Sequence, residues 1–234
     1  MTSSEEGQEV DRGCWPRAAA VVRMPAMSQE IEVKFKVDDF SAVRRALRRA
    51  GARYAATVIQ TDSYYDTPDR MLLSRDCGLR IRRVRCLRSA GGKLDTRPLL
   101  TAKGPARGGA KAKIRREIQT HLDDPEAVSE ILRWVGLELT MLIQKRRTTY
   151  RLGPCVVELD ELPVIGRFVE IESPGRRALE HACRLLALKG RRITDHYINL
   201  LRRAEGVPAG RPEFLLKGRS DSPCKAHKKT RASP

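Results

Sequence analysis

The chain has 234 residues, of which 41% are hydrophobic, and this is enough to fill the core of one substantial domain. Lysine and arginine number 46 against 29 acidic residues, so the formal charge is +17, which predicts attraction to nucleic acid, anionic lipid or phosphorylated small molecules. No apolar run is long enough to span a membrane and the N-terminus lacks a signal-peptide core, so we exclude an integral membrane protein and expect a cytoplasmic one.

The six cysteines are scattered along the chain, without a Cys-x-x-Cys pair or a neighbouring histidine at metal-ligand spacing. This distribution predicts reduced thiols and argues against a zinc site or a disulfide framework.

Both ends of the chain have the composition of disordered segments. Residues 1–26 carry mixed charges without a sustained period, and residues 204–234 are rich in Gly, Pro, Ser, Lys and Arg. We therefore expect a disordered N-terminal extension, a folded domain over residues 27–203 and a disordered basic tail. A start of translation at Met24 or Met27 stays open.

The first predicted strand has charged and apolar side chains on opposite faces. Over residues 30–35, a period of two puts Glu30, Glu32 and Lys34 on one side and three apolar side chains on the other. One half-exposed strand could carry this pattern for solubility alone, but the pattern recurs. The later pairs are Arg80 and Arg82, Arg115 and Glu117, Lys145 and Arg147, Glu158 and Asp160, and Glu170 and Glu172. Such repetition favours a charged interior.

The remaining predicted elements are strands joined mostly by turns, with helices inserted at intervals. We predict further strands over residues 54–65, 79–87, 99–103, 113–120, 139–151, 156–162 and 168–173. We predict helices over residues 38–51, 124–135, 176–188 and 194–201. This order indicates the α+β class with an antiparallel sheet. Because one strand face is charged and the other apolar, we expect an eight-stranded antiparallel β-barrel with a wet polar interior and flanking helices outside.

The charged strand faces supply two kinds of chemistry. The carboxylates that could hold Mg²⁺ or Mn²⁺ are Glu30, Glu32, Asp160, Glu170 and Glu172. The cations that could bind phosphate oxygens are Lys34, Arg80, Arg82, Lys103, Arg115, Lys145 and Arg147. A phosphate chain bridged by a divalent metal needs both sets, and a triphosphate fits better than a monophosphate. Spacing alone equally allows cross-strand ion pairs on an exposed sheet.

A set of short motifs runs in order from about Ser28 to Arg203. It comprises Glu30-x-Glu32-x-Lys34, Asp62-Ser63-Tyr64-Tyr65-Asp66-Thr67-Pro68, Leu79-Arg80-Ile81-Arg82, Thr101-Ala102-Lys103-Gly104-Pro105, Lys145-x-Arg147-x-x-Tyr150, Leu159-Asp160-Glu161 and Gly166-Arg167-Phe168-Val169-Glu170-Ile171-Glu172. Together these motifs resemble the CYTH superfamily, the triphosphate tunnel metalloenzymes, which include class IV adenylate cyclases, thiamine triphosphatases and inorganic triphosphatases.

The resemblance implies an eight-stranded antiparallel tunnel in which the five carboxylates above bind metal. It also implies that the phosphate chain is bound by Lys34, Arg80, Arg82, Lys103, Lys145 and Arg147. The candidate catalytic residues are Lys34, Arg82, Lys103 and Asp160. Arg115 and Glu117 occupy the place of a family Arg-x-Glu-x-Glu pattern, in which Gln119 replaces the last glutamate and removes one carboxylate.

We therefore expect metal-dependent hydrolysis of a triphosphate such as ATP, tripolyphosphate or thiamine triphosphate, with Mg²⁺ or Mn²⁺ as cofactor. The alternative is a class IV adenylate cyclase that converts ATP to cyclic AMP and pyrophosphate. A non-catalytic binder of polyphosphate or nucleic acid is disfavoured, because carboxylates weaken polyanion binding unless a metal uses them. We expect no membrane or nucleic-acid partner and leave a homodimer open.

Overall fold

The computed structural model describes residues 31–91, 94–105, 116–189, 192–193, 195–204 and 213–216. Its strands are β1 (Ile31–Val37), β2 (Arg53–Asp66), β3 (Gly78–Ser89), β4 (Leu99–Lys103), β5 (Glu117–His121), β6 (Glu138–Leu152), β7 (Cys155–Leu162), β8 (Gly166–Ser173) and β9 (Glu213–Phe214). Its helices are α1 (Ser41–Arg49), α2 (Met71–Ser74), α3 (Pro125–Trp134), α4 (Arg176–Leu185) and α5 (Tyr197–Arg202). None of these helices is long and apolar enough to cross a membrane.

The strands form one sheet in the order β1-β8-β7-β6-β2-β3-β4-β5, and every neighbouring pair along this path is antiparallel. The short strand β9 adds to β6 in parallel. The predicted α+β class and antiparallel sheet are therefore confirmed. Between the described parts of β5 and β1 there is no ladder, so backbone hydrogen bonds do not close the sheet into the predicted barrel.

One half of the sheet is covered on its outer face by α1 and α4. The apolar residues of α1, among them Val43 and Leu47, recur at helical spacing and are buried. They pack with Leu179 of α4 and with the outward residues of β1, β7 and β8, including Val157 and Ile171, which are fully buried. This packing leaves the alternate residues of the same strands on the opposite, inner face.

The other half of the sheet is covered by α3. Asp124 caps this helix by accepting a hydrogen bond from the amide of Ala127 at 2.9 Å, and Pro125 occupies the first turn, as the sequence predicts. The helix packs on Tyr65 and Ile81, which point outward from β2 and β3. It thereby fixes the neighbouring residues of both strands on the inner face.

A third apolar cluster lies at one end of the inner face. It joins Met141 and Ile143 of β6 and Phe168 of β8 to Leu201 of α5 and Phe214 of β9. The residues of β6 and β8 lie on the same strand faces as the charged residues that follow them at a spacing of two. The apolar cluster therefore borders the charged part of the inner face.

The structure departs from the sequence prediction at two short elements. α2 was not predicted, because four residues are too few to show a helical period. Residues 213–216 were expected to belong to a disordered tail, but Phe214 is buried and Glu213–Phe214 pairs with β6. Residues 1–26, 205–212 and 217–234, which were expected to be disordered, lie outside the described ranges, as do residues 106–115.

A charged band on the inner face

Charged side chains collect on the inner face of the sheet. The buried ones are Lys34, Asp62, Arg82, Lys145, Arg147, Glu158, Asp160 and Glu170, and the half-buried ones include Glu32, Arg80, Lys103 and Glu117. We call these twelve residues the charged band. Because an unpaired buried charge is costly, the partners of each group reveal how the band is stabilised.

Lys34 of β1 lies beside carboxylates of its own strand and of β8. Its Nζ is 2.9 Å from Oε1 of Glu170, which is its register partner, and 3.6 Å from Oε1 of Glu32. Burial alone would lower the pKa of Lys34, but Glu170 and Glu32 raise it above the usual lysine value. Lys34 is therefore a buried lysine that stays charged.

Asp160 of β7 is fully buried among cations of β6. Its Oδ1 accepts from Nε of Arg147 at 2.7 Å, and its Oδ2 accepts from Nη2 of Arg147 at 2.5 Å and from Nζ of Lys145 at 2.9 Å. Burial alone would raise the pKa of Asp160, but Arg147 and Lys145 hold it below its usual value. The sequence assigned Asp160 to a metal; here both its oxygens are occupied by cations.

Arg147 also contacts Glu158 and Glu170 through its two terminal nitrogens. Nη2 donates to Oε2 of Glu170 at 2.5 Å, and Nη1 forms an ion pair with Glu158. Burial raises the pKa of Glu158 in spite of Arg147, and Asp160 adds to the rise.

Asp62 of β2 holds the two arginines of β3. Nε of Arg82 donates to Oδ1 at 2.6 Å, Nη2 of Arg82 donates to Oδ2 at 2.7 Å, and Nη1 of Arg80 lies 3.4 Å from Oδ2. Burial would raise the pKa of Asp62, but Arg82 and Arg80 hold it far below the usual range. The two-point contact fixes the plane of the Arg82 guanidinium.

Lys103 of β4 pairs with Glu117 of β5, whose Oε2 is 2.7 Å from Nζ. Gln119 donates to the other oxygen of Glu117, so the residue that replaces a family glutamate supports this pair. Burial lowers the pKa of Lys103 and Arg80 lowers it further, while Glu117 and Glu32 oppose this shift. Glu32 of β1 therefore acts electrostatically on Lys103 of β4, although β1 is one end of the strand path and β4 lies next to the other end.

The predicted site residues are thus largely brought together. Glu172 is half-buried and lies opposite Glu32 in the β1–β8 register, and Glu30 and Arg115 lie outside the described residues. The ion pairs that the spacing allowed do form, but on a buried face and not on an exposed sheet.

Three residues of this region are not among the site residues predicted from the sequence. Glu158 belongs to one of the recurring charged pairs and Asp62 to a quoted motif, and both lie on the charged strand faces that the period of two indicates. Tyr197 at the start of α5 donates from its hydroxyl to Oδ2 of Asp160 at 3.2 Å, and no local pattern places it there.

The fit of a metal ion depends on how many carboxylates could surround it and on which of them are held by buried cations. Among the described residues, no group of three or more His, Cys, Asp or Glu side chains could hold a metal. Asp160 and Glu170 are engaged by lysine and arginine. Glu32 and Glu172 have the hard oxygen atoms that Mg²⁺ and Mn²⁺ prefer, but two carboxylates do not make a complete site.

Comparison with known proteins identifies relatives over most of this region. The family model of the CYTH domain matches residues 28–182. A putative adenylate cyclase of Methanocaldococcus jannaschii is 29% identical over 143 residues, which cover 61% of this chain and 75% of that protein. Adenylate cyclase CyaB of Aeromonas hydrophila is also 29% identical over 143 residues, which cover 61% of this chain and 67% of that protein.

A solved structure with the same fold comes from Hippeastrum. It is named as putative adenylyl cyclase HpAC1, with a dominant triphosphatase activity. The two structures superpose with a TM-score of 0.57 at 17% identity, covering 76% of this chain and 98% of that one.

Proposed function

Because the chain belongs to the CYTH domain family, we propose that it is a metal-dependent enzyme that hydrolyses an inorganic or organic triphosphate. The observation that carries this proposal is the convergence of lysines and arginines from β1, β3, β4 and β6 on one inner face. A triphosphate is a short chain of anionic groups and can meet several of these cations at once.

The lowered pKa values of Lys145 and Lys103 support an anionic ligand. Burial lowers the pKa of Lys145, and Arg147 and Arg82 lower it further against the effect of Asp160 and Glu170. Lys103 is shifted in the same direction by burial and by Arg80. A phosphate chain beside these lysines would supply negative charge where neighbouring arginines now disfavour the ammonium form.

We propose different roles for Arg82 and Arg147, the two buried arginines of the charged band. Asp62 engages Nε and Nη2 of Arg82, which leaves a guanidinium of five N–H donors with further capacity for phosphate oxygens. Arg147 contacts carboxylates through Nε, Nη1 and Nη2. Arg82 would therefore bind substrate, together with Lys34, Arg80, Lys103 and Lys145, while Arg147 mainly orders the carboxylates.

We propose Mg²⁺ or Mn²⁺ as the cofactor, with Glu32 and Glu172 as ligands and Glu30 as a further one. When bound, the ion would neutralise phosphate charge. A role for Asp160 or Glu170 as a ligand would require them to release their present cation partners. Catalysis would otherwise depend on positioning and on the positive charge of Lys34, Arg82 and Lys103.

We also infer that the sheet closes around this band as the predicted eight-stranded tunnel. The electrostatic effect of Glu32 on Lys103 supports closure, because these residues belong to strands far apart in the strand order. We propose the reducing cytoplasm as the location of this protein, because Cys77, Cys155 and Cys183, which lie in the described part of the chain, are thiols.

The experiment is to incubate the purified full chain with tripolyphosphate, thiamine triphosphate or ATP in the presence of Mg²⁺ or Mn²⁺. We expect release of inorganic phosphate that stops when EDTA is added. Absence of release from all three substrates with both metals would contradict the proposal.

A second candidate is a class IV adenylate cyclase, because the two relatives at 29% identity carry adenylate cyclase names. In that reaction the ribose 3′-hydroxyl attacks the α-phosphate, and cyclic AMP and pyrophosphate form. The same cations would hold the phosphates. HpAC1 indicates that the fold is compatible with a dominant triphosphatase activity, so the products must decide. Cyclic AMP in the ATP incubation would favour the cyclase.

A further inference from the structure

Tyr197 contacts two of the proposed phosphate-binding lysines. Its ring centroid is 4.1 Å from Nζ of Lys34 and 5.1 Å from Nζ of Lys145. Its hydroxyl donates to Oδ2 of Asp160 at 3.2 Å. One aromatic side chain of α5 thus meets ammonium groups from β1 and β6, which are separated by β8 and β7 in the sheet.

The ring is held in place from both sides. Phe168 packs edge to face against it, with 5.1 Å between the ring centroids and 71° between the planes. The segment before α5 is fixed to β1, because the amide of Ile193 donates to the carbonyl of Lys34 at 2.8 Å. Tyr197 therefore has one defined position relative to both lysines.

An aromatic ring can hold these lysines without neutralising them, which a carboxylate cannot do. The face of the ring attracts an ammonium group through its quadrupole, most strongly where water is excluded, without cancelling its charge. Both lysines already face carboxylates: Glu32, Glu170 and Asp160 around Lys34, and Asp160 and Glu170 around Lys145. Lys145 also faces Arg147 and Arg82, and lies near Asp62. The ring thus fixes two cations while leaving their charge available to an anion.

We propose that Tyr197 is a positioning residue, whose ring holds the ammonium groups of Lys34 and Lys145 in place so that both bind one phosphate chain. The proposal rests on the proposed function, namely that the inner face takes a triphosphate. It concerns the ring of Tyr197 more than its hydroxyl, because the ring is the part that meets both lysines.

The first test measures binding of tripolyphosphate to full-length variants by calorimetry. Tyr197→Leu removes the ring and should weaken binding about ten- to thirty-fold, the loss expected for desolvated cation–π contacts. Tyr197→Phe keeps the ring and should bind within about three-fold of the unmodified protein. Leu201→Ala, in the same helix, should lower the melting temperature and leave binding within the same range.

Three results of this test would overturn the proposal. These are unchanged binding by Tyr197→Leu, a loss in Tyr197→Phe as large as in Tyr197→Leu, and an equal loss in Leu201→Ala. The last result would mean that Tyr197 acts only by keeping α5 docked.

The second test needs no phosphate and therefore separates this proposal from the proposed function. In NMR spectra of the unmodified protein, the ring should shift the ε-methylene signals of Lys34 and Lys145 upfield. Tyr197→Phe should retain these shifts and Tyr197→Leu should lose them. Unshifted lysine signals in the unmodified protein would overturn the proposal even if a variant fails to fold. Normal shifts without tripolyphosphate binding would instead contradict the triphosphatase function.

Discussion

Asp62 is a buried carboxylate on which two arginines depend. Replacing it in Asp62→Asn preserves its shape but leaves Arg80 and Arg82 without a balancing charge. We expect a loss of about 3–5 kcal/mol in the free energy of unfolding, measured by urea denaturation at pH 7. Asp95→Asn, which breaks the exposed pair with Arg97, is the control and should have a much smaller effect.

The lowered pKa of Asp62 predicts how the stability of the protein changes with pH. Because its pKa in the folded protein is lowered, its stabilisation is fully present above the usual aspartate pKa of about 3.9 and is lost as the pH falls towards the folded value. The stability difference between the unmodified protein and Asp62→Asn should therefore shrink on acidification below about pH 4. A difference that grows in acid would contradict the ion-pair interpretation.

Substitution of Arg82 tests whether this single side chain binds phosphate. Arg82→Lys keeps the positive charge but cannot form the two-point contact with Asp62 or present a planar fork to phosphate. We expect kcat/KM for tripolyphosphate to fall about ten- to hundred-fold in phosphate-release assays. Arg83→Lys is the matched control, because Arg83 pairs with Glu126 outside the band. Equal losses in both variants would argue against a substrate contact at Arg82.

Among the elements, α2 has two amide groups that donate to one carboxylate, that of Asp66. Asp66 accepts hydrogen bonds from Thr67 and Leu72 at 2.8 Å and from Leu73 at 3.0 Å. Asp66→Ala would leave three donors without this acceptor, and we expect a loss of about 1–3 kcal/mol in the free energy of unfolding. Asp69→Ala, at an exposed position of the same turn, should change the denaturation midpoint little.

Most longer elements were predictable from the sequence for physical reasons. The apolar positions of α1 and the Asp-Pro start of α3 are local signals, and the period of two placed Arg80 and Arg82 on one face. The turn at residues 66–69 was also predictable, but not the helix that Asp66 stabilises after it. That helix depends on side-chain hydrogen bonds and not on hydrophobic spacing.

At the scale of the whole molecule, the band depends on strands that are distant in sequence. β1 pairs with β8 and β2 pairs with β6, so local spacing indicated which residues face inward but not which of them meet. This explains why the sequence predicted Asp160 as a metal ligand, whereas Lys145 and Arg147 surround it here. The position of Tyr197 could not be predicted for the same reason, because α5 is distant in sequence from β1 and β6.

The lowered pKa of Lys103 predicts how the molecule as a whole responds to alkali. Lys103 binds an anion in its protonated form, so affinity for tripolyphosphate should fall as the pH rises through its pKa, below the usual lysine value of about 10.4. Calorimetry between about pH 7 and pH 10 would measure this fall. Lys103→Met should make the fall shallower, because Lys145, whose pKa is also lowered, remains. Lys36→Met, at an exposed position of β1, should preserve the profile. A flat profile for the unmodified protein would contradict the role of Lys103.

The burial of Phe214 bears on where this protein can be shortened. The family match stops at residue 182, inside α4, whereas Leu201 and Phe214 lie beyond it and pack against Met141 and Ile143. A protein truncated at residue 182 would expose the apolar side chains of Met141 and Ile143 to water. Exposed apolar surfaces of this kind promote aggregation. Expression trials should therefore retain residues through at least 216.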